Sequence, residues 1–289
     1  MTPAEQKMRG RTRRAMLAAL AAGAALALAA PACAADEAQA RPLRLGIFPI
    51  VSPVELFRRF TPLRAYLATA LGREVRLATA RDFPTFVRRT AARRYDIVIT
   101  APHFALLAAD PGPYEVRASL RRTLVGHVVV RADAPYRTLG ALAGRRVATP
   151  PESALITLAG RELFARHGLT GPRAPRWRAY RSHNGAYEAV LGGMADAAVV
   201  SVNALRKALE RGAPLRTVAR TPDLPNTALL VARDLPPALR ARIEAAFVAA
   251  REDPAGRIAL RRAGIPGWRP ARVDHYRVLR PYLRRAALP

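Results

Sequence analysis

The sequence predicts an α/β fold of two lobes, each a mostly parallel sheet flanked by helices, with a ligand cleft between the lobes. Three observations lead to this prediction. A strand-helix-strand-helix-strand pattern begins near Leu43, the same pattern begins again after Gly144, and extended segments separate and follow the two copies. Strands that alternate with helices pair in parallel. A unit used twice predicts two lobes, and the extended segments predict the crossings between them.

The first 34 residues are expected to be an export signal and not part of the fold. Four arginines between positions 9 and 14 precede an apolar run over 15–30, and the small residues Ala32-Cys33-Ala34 follow. This order is typical of a secretory signal peptide, so we expect cleavage near Ala34 and a periplasmic protein. Paired arginines before the run leave the general and the twin-arginine export routes both open.

The composition limits the function classes. The chain has 289 residues, 51% hydrophobic residues and a net charge of +27, which predicts a folded and very basic protein. Its basic residues are nearly all arginines, scattered over many predicted helices rather than gathered with aromatics on one stripe. We therefore expect no nucleic-acid partner and an attraction for small anions. The single cysteine, Cys33, lies in the export signal, so the mature chain has no disulfide or thiol nucleophile.

The first copy of the repeated unit starts at Leu43. Its predicted elements are a strand at 43–48, a helix at 53–71, a strand at 74–79, a helix after Asp82 and a strand at 96–100. Ser52 is the predicted N-cap of the first helix, because Pro53 suits the first helical position and Gly72 follows the last apolar position. Asp82 is expected to cap the next helix.

The second copy follows Gly144. Its predicted elements are a strand at 145–149, a helix at 153–167, a strand at 176–180, a helix at 184–191, a strand at 196–200 and a helix from Asn203. Ser182 or Asn184 can cap the helix at 184–191. His183 precedes this helix and Ser201 follows the next strand, so we expect these two residues to lie near each other at a ligand site.

Extended segments at 114–122 and 124–131 are predicted to cross from the first lobe to the second, and segments at 215–220 and 227–231 to return. The rest is predicted helical, at 236–251, through Ile258 and around Tyr276, with Trp268 as a packing anchor in a turn. The expected limits are 43–124 with 220–289 for lobe 1, and 125–219 for lobe 2.

Four groups of short motifs occur in a fixed order. They are Ile47-Phe48-Pro49 with Ser52-Pro53-Val54-Glu55-Leu56; Pro62-Leu63-Arg64-Ala65-Tyr66-Leu67 with Leu71-Gly72; Tyr95-Asp96-Ile97 with Ala101-Pro102; and Ser182-His183-Asn184 with Met194-Ala195-Asp196-Ala197-Ala198. Together they resemble the phosphate/phosphite/phosphonate solute-binding family of ABC transporters, over about 43–288. The resemblance implies a type II periplasmic-binding-protein fold. It also implies a monomeric receptor without a cofactor, which closes on a small anion and presents it to an ABC permease in the inner membrane.

The same resemblance suggests roles for two residues. His183 matches the second-lobe histidine of the family, which contacts the oxyanion of the ligand. Ser153 falls where the family has a hydroxyl-rich loop at a helix N-terminus, a place that favours anions. This chain departs from the family there, because Ser153 is followed by Ala154-Leu155-Ile156 and preceded by Glu152, which would oppose a dianion.

From the residues alone, the candidate positions keep alternative interpretations. The candidate ligand-binding residues are His183, Ser153, Thr100, His103, Ser201, Ser52 and Asn203. His183 is a ligand contact, a catalytic base or a helix cap, and His103 is its partner across the cleft or a packed helix-start residue. Thr100 and Ser201 occupy equivalent positions at strand ends, and the hydroxyl of each either contacts the ligand or caps the next helix. Asn203 is expected to cap its helix. Phe83, Phe104 and Tyr187 line a pocket or the core, and Asp96 and Asp196 are interpreted as structural.

Catalysis is not expected. No HExxH, GxSxG or phosphate-loop spacing is present, and the two candidate histidines come from different lobes without an adjacent acidic ligand, so we expect no metal site. The leading hypothesis is the solute-binding component of an ABC transporter for a small anion of the phosphonate or phosphate type. The alternative is a periplasmic sensor or accessory module that uses the same cleft to signal to a membrane partner.

Overall fold

The computed structural model describes residues 41–283, of which residues 44–283 form one compact unit. The predicted export signal, its cleavage near Ala34 and Cys33 lie outside the described residues. No helix between residues 41 and 283 is long and apolar enough to cross a membrane.

The elements follow the predicted order. They are β1 (Leu43–Ile47), α1 (Pro53–Leu71), β2 (Val75–Ala78), α2 (Phe83–Ala91), β3 (Ile97–Thr100), α3 (Pro102–Ala109), β4 (Tyr114–Leu120), β5 (Gly126–Arg131), β6 (Arg146–Thr149), α4 (Leu155–Arg166), β7 (Arg176–Ala179), α5 (His183–Leu191), β8 (Ala197–Ser201), α6 (Val202–Glu210), β9 (Leu215–Arg220), β10 (Ala228–Ala232), α7 (Pro237–Ala249), α8 (Pro254–Ala263), β11 (Trp268–Pro270) and α9 (Arg280–Leu283). Short 3₁₀ helices lie at Gly140–Leu142, Gly171–Arg173 and Val273–Leu279.

The strands form two sheets. The first has the order β11-β4-β10-β3-β1-β2 and the second the order β7-β6-β8-β5-β9. Both are mixed. In each, strands of the repeated unit pair in parallel (β1 with β3, and β6 with β7 and β8), whereas the strands that follow the crossings pair antiparallel. The predicted α/β architecture is confirmed, but the sheets are mixed and not mostly parallel. The segments predicted as crossings pair antiparallel as β4, β5, β9 and β10, and β11 adds one further antiparallel pair to the first sheet.

The limits of the lobes stay a proposal. The strands of the two sheets fall within the proposed ranges 43–124 with 220–289 and 125–219, apart from Arg220, the last residue of β9.

The second sheet is covered on both faces, as its apolar central strand requires. All five residues of β8 are buried. Val200 packs in one apolar cluster with Tyr187 of α5 and Leu205 of α6, and Val199 packs in another with Phe164 of α4. Tyr187 is thus a core residue and not a wall of the cleft.

An equivalent pair of carboxylates supports the repeat. Asp96 accepts a hydrogen bond from the backbone N–H of Arg44 at 2.8 Å, and Asp196 accepts one from the N–H of Arg146, also at 2.8 Å. Each carboxylate precedes the last strand of its unit and joins it to the first strand. The structural interpretation of both residues is confirmed.

Helix caps occur mostly where the sequence places them. The side chains of Ser52, Asp82 and Ser182 accept from Glu55, Thr85 and Gly185 at 3.4, 2.7 and 3.0 Å, and Gly72 ends α1 with a φ of 59°. The prediction for Asn203 is wrong. The hydroxyl of Ser201 accepts from Ala204 N–H at 3.4 Å and caps α6, which places Asn203 in the first turn of that helix.

The two crossings between the sheets run side by side. Leu124 and Leu224 exchange backbone hydrogen bonds of 2.8 and 3.0 Å, and Gly126 N–H donates to the hydroxyl of Thr221 at 2.8 Å. A Cβ atom at position 126 would lie 2.9 Å from the Thr221 methyl carbon, so any other residue here would force the Thr221 side chain to shift. The connection is therefore a narrow hydrogen-bonded ribbon.

The C-terminal part returns to the first sheet. Trp268 is fully buried and meets the ring of Phe247 edge-on at 5.5 Å, as expected of a packing anchor. It begins the short strand β11 instead of ending a turn, because its backbone pairs with β4, which makes β11 the edge strand of the first sheet.

Candidate ligand site

A cavity of about 760 Å³ lies where strands of both sheets end. Its lining includes residues that follow β1, β3, β6, β7 and β8, together with residues of the crossings and of α8. Ligands of open α/β sheets bind outside the carboxyl ends of the strands, at this kind of crevice. We call this cavity the cleft.

Five helices begin at the cleft. The first turns or N-caps of α2, α3, α4, α5 and α6 all contribute lining residues. Ser182 and Ser201 cap α5 and α6, but the N-caps of α3 and α4 are Ala101 and Ala154, which provide no side-chain cap. Thr157 N–H already donates to the Ala154 carbonyl at 2.9 Å and Pro102 has no N–H, so the first-turn groups left for a ligand are those of His103 and Phe104 in α3 and of Leu155 and Ile156 in α4. The positive ends of the helix dipoles favour an anion there.

His183 is the first residue of α5 and lines the cleft. The backbone N–H of Ser201 donates to its Nδ1 at 3.2 Å, so the proton of the neutral ring is assigned to Nε2. Burial lowers the pKa of His183 to about 4, which keeps the imidazole neutral at physiological pH. The side chain is thus arranged as a neutral hydrogen-bond donor. The predicted proximity of His183 and Ser201 is confirmed.

His103 lies in the first turn of α3 on the other side of the cleft, with 2% of its surface exposed. Neither ring nitrogen makes a hydrogen bond of good geometry within residues 41–283, although the Ser153 backbone lies close enough to act on the ring. Burial lowers its pKa to about 4, against a smaller opposite effect of the Ser153 backbone. A buried polar group without a partner costs about 1–3 kcal/mol, and a ligand in the cleft would supply one.

The loop before α4 differs from the expected hydroxyl-rich loop. Ser153 lines the cleft but does not cap the helix. Thr157 is fully buried and donates to the carbonyls of Pro150 and Pro151 at 3.1 and 3.0 Å, so its hydroxyl shapes the loop. The carboxylate of Glu152 pairs with Arg161 at 3.2 Å and does not belong to the lining, which removes the expected conflict with an anion.

The structure does not bring all sequence candidates together. His183, His103, Ser153, Ser201 and Asn203 line the cleft, whereas Thr100 and Ser52 do not. The Thr100 side chain lies against a separate cavity of about 50 Å³, next to Phe86, because strand residues alternate between the two faces of a sheet. Ser52 is exposed and caps α1. Our proposed site therefore omits these two residues.

Basic residues surround the cleft, and the sequence analysis missed them. They are Arg122, Arg181, Arg206, Lys207 and Arg261, which we call the cationic rim. Arg206 pairs with Glu210 at 3.1 Å, and the other four form no ion pair with any described residue. No described residue of the lining carries a carboxylate side chain. The arginines are spread along the chain, so only the position of Arg181 beside Ser182-His183 gave a signal.

Three phenylalanines form one side of the cleft. The ring centroids of Phe48 and Phe83 are 6.1 Å apart, and those of Phe83 and Phe104 are 5.9 Å apart. His103 lies against Phe104 at 4.0 Å. We call Phe48, Phe83 and Phe104 the aromatic wall. Phe83 and Phe104 thus line the cleft. The spacing of these residues in the sequence had left open whether they line a pocket or belong to the core.

Within residues 41–283, no group of three or more histidine, cysteine, aspartate or glutamate side chains is arranged to hold a metal ion.

A protein-family model described as "ABC transporter, phosphonate, periplasmic substrate-binding protein" matches residues 45–276. A search of curated proteins found no match.

Solved structures with the same fold are numerous. XAC2383 from Xanthomonas citri, bound to chloride, has a TM-score of 0.72 and 20% identity, covering 84% of this chain and 99% of its own. PhnD1 from Prochlorococcus marinus, in complex with methylphosphonate, has a TM-score of 0.72 and 16% identity, covering 84% and 97%. A binding protein component of a phosphonate ABC transporter from Pseudomonas aeruginosa has a TM-score of 0.68 and 15% identity, covering 84% and 86%. These likenesses confirm the predicted two-lobed fold.

Proposed function

Because this chain belongs to the family of periplasmic substrate-binding proteins of phosphonate ABC transporters, we propose that it captures an oxyanion of the phosphonate or phosphate type in the cleft. Members of this family are solute-binding components of transporters and not enzymes. The proposal includes export with cleavage near Ala34, a monomeric receptor and delivery of the solute to an inner-membrane ABC permease.

The observation that carries the proposal is the arrangement of anion donors around one cavity. Two uncapped helix N-termini, of α3 and α4, contribute residues to the same cleft as the Nε2–H donor of His183. Hydrogen bonds to charged groups contribute about 1.5–3 kcal/mol each when water is excluded. Ser201 supports the site by fixing the ring of His183. Ser153 and Asn203 are further candidate contacts.

Affinity would arise from closure of the cleft. His103 and the α3 N-terminus follow the first sheet, whereas His183 and the α4 N-terminus follow strands of the second. An anion that bonds to both groups stabilises the closed form over the open one, and its affinity depends on that difference. The narrow ribbon at Leu124 and Leu224 is the proposed hinge.

The alternative of a periplasmic sensor uses the same cleft. The family match favours transport, since its description names a transporter component. The loss of solute uptake on deletion of the gene, with unchanged signalling responses to that solute, is the expected result for a transporter.

Thermal unfolding of the purified protein with phosphate, phosphite, methylphosphonate, a sulfonate and a carboxylate tests the proposal. At least one oxyanion should raise the Tm, and the same ligand should raise it less in the His183→Ala variant. An inorganic cation is the negative control. Absence of stabilisation by every oxyanion would exclude the proposed function.

A further inference from the structure

We propose that the solute is an oxyanion with an aromatic or other bulky apolar substituent and without an ammonium group. This inference rests on the proposed function and narrows its ligand class.

The first argument is the apolar surface on both sides of the cleft. The aromatic wall follows strands of the first sheet, and Leu155 and Ile156, each 3% exposed, contribute from the first turn of α4. Leu155 and Ile156 thus supply both the free backbone N–H groups of α4 and two apolar side chains. An anion bound to these N–H groups would place its substituent among apolar side chains.

The second argument is the one-sided charge of the lining. Every charged side chain that lines the cleft is cationic, and the nearby carboxylates of Glu152 and Glu210 pair with Arg161 and Arg206. An ammonium group that leaves water needs a carboxylate or a set of acceptors in return. The cationic rim would instead repel it.

The third argument is the size of the cleft. A volume of about 760 Å³ is well within the range of about 300–1,000 Å³ typical of sites for drug-sized ligands. A methyl substituent would leave the aromatic wall in contact with water. A ring would remove this surface from water and gain affinity in proportion to the apolar area.

Isothermal titration calorimetry with four phosphonates tests the inference on the unmodified protein. Phenylphosphonate and methylphosphonate differ in the apolar group, and propylphosphonate and 2-aminoethylphosphonate have nearly the same shape but differ in the ammonium charge. We expect the phenyl compound to bind on the order of tenfold tighter than the methyl compound, because the ring buries apolar surface. We expect the aminoethyl compound to bind on the order of tenfold weaker than the propyl compound, because its charge is unpaired in the site.

A matched pair of variants locates the effect. Phe83→Ala removes a partly exposed ring of the aromatic wall and should lower the affinity for phenylphosphonate by more than that for methylphosphonate, so that the preference for the phenyl compound shrinks. Phe57→Ala removes a ring of α1 that is 39% exposed and does not line the cleft, so it should leave both affinities unchanged.

The outcomes separate this inference from the function on which it rests. Equal affinity for the phenyl and methyl compounds, or tighter binding of the aminoethyl compound, would overturn the ligand class and leave the receptor function in place. Binding of none of the four phosphonates, or of the other oxyanions, would overturn both.

Discussion

The backbone N–H of Ser201 donates to Nδ1 of His183 at 3.2 Å, joining the end of β8 to the start of α5. A backbone N–H can donate a hydrogen bond but cannot accept one, so Nδ1 is the acceptor and Nε2 carries the hydrogen of the neutral ring. The next strand of the repeat thus fixes both the orientation and the tautomer of the cleft histidine. A donor fixed in this way before the ligand arrives loses little entropy on binding.

Substitution of His183 should weaken binding of the best oxyanion. In the His183→Ala variant one hydrogen bond to a charged ligand is lost, worth about 1.5–3 kcal/mol, which corresponds to a Kd about 10- to 150-fold higher. Calorimetry at neutral pH measures this change. His127→Ala is the control, because His127 lies in β5 outside the lining and bonds to Thr217. An equal loss of affinity in both variants would contradict a direct role for His183.

The buried His103 and the partly buried His183 should make stability depend on pH. Burial lowers the pKa of His103 and His183 from 6.5 to about 4. Between about pH 6.5 and pH 4 these imidazoles are therefore protonated in the unfolded chain but neutral in the native state. The free energy of unfolding decreases as the pH falls through this window. At pH 5 the loss is about 2 kcal/mol for each imidazole.

Urea unfolding without ligand, at about pH 7.5 and pH 5, measures this dependence. A His103→Gln variant has no imidazole to protonate at this position, so its loss of stability between the two pH values should be about 2 kcal/mol smaller than that of the unmodified protein. An identical loss in both proteins would show that His103 is not the titrating group.

Local sequence signals predicted the framework well. Ser52, Asp82 and Ser182 cap their helices as expected, and Asp96 and Asp196 are structural as interpreted, each joining two strands of its unit. These features depend on neighbours within a few residues or on the strand order of one unit, both of which a sequence pattern contains.

The cleft was predicted less completely, for physical reasons. A position at a strand end does not tell which face a side chain takes, and Thr100 faces away. Ser201 and Asn203 are both good cap residues, and only backbone geometry selects Ser201. The cationic rim joins residues from positions 122 to 261, and their proximity exists only in the folded chain.

The two equivalent aspartates should differ in their contribution to stability. The Asp96 side chain is fully buried, so Asp96→Ala leaves the Arg93 guanidinium and the Arg44 N–H without this partner and should cost about 3 kcal/mol. The Asp196 side chain is 19% exposed and its partner Arg146 is 50% exposed, so Asp196→Ala should cost about 1 kcal/mol. Urea unfolding measures both. Calorimetry should find unchanged ligand affinity, and a large loss of affinity would contradict the structural interpretation.

The cationic rim should act mainly on the rate of association. Arg122 and Arg181 come from the two sides of the cleft and form no ion pair with a described residue, so their field extends to the approaching anion. The Arg122→Gln, Arg181→Gln double variant should associate several-fold more slowly at low ionic strength, with a nearly unchanged dissociation rate. Salt screens this attraction over about 10 Å at 0.1 M, so the difference should shrink as salt is added. Stopped-flow binding at several ionic strengths measures both rates.

The control is Arg94→Gln, an exposed site before β3 at the opposite strand ends, which should change neither rate. A deficit that persists at high salt would instead indicate direct contacts between these arginines and the bound ligand.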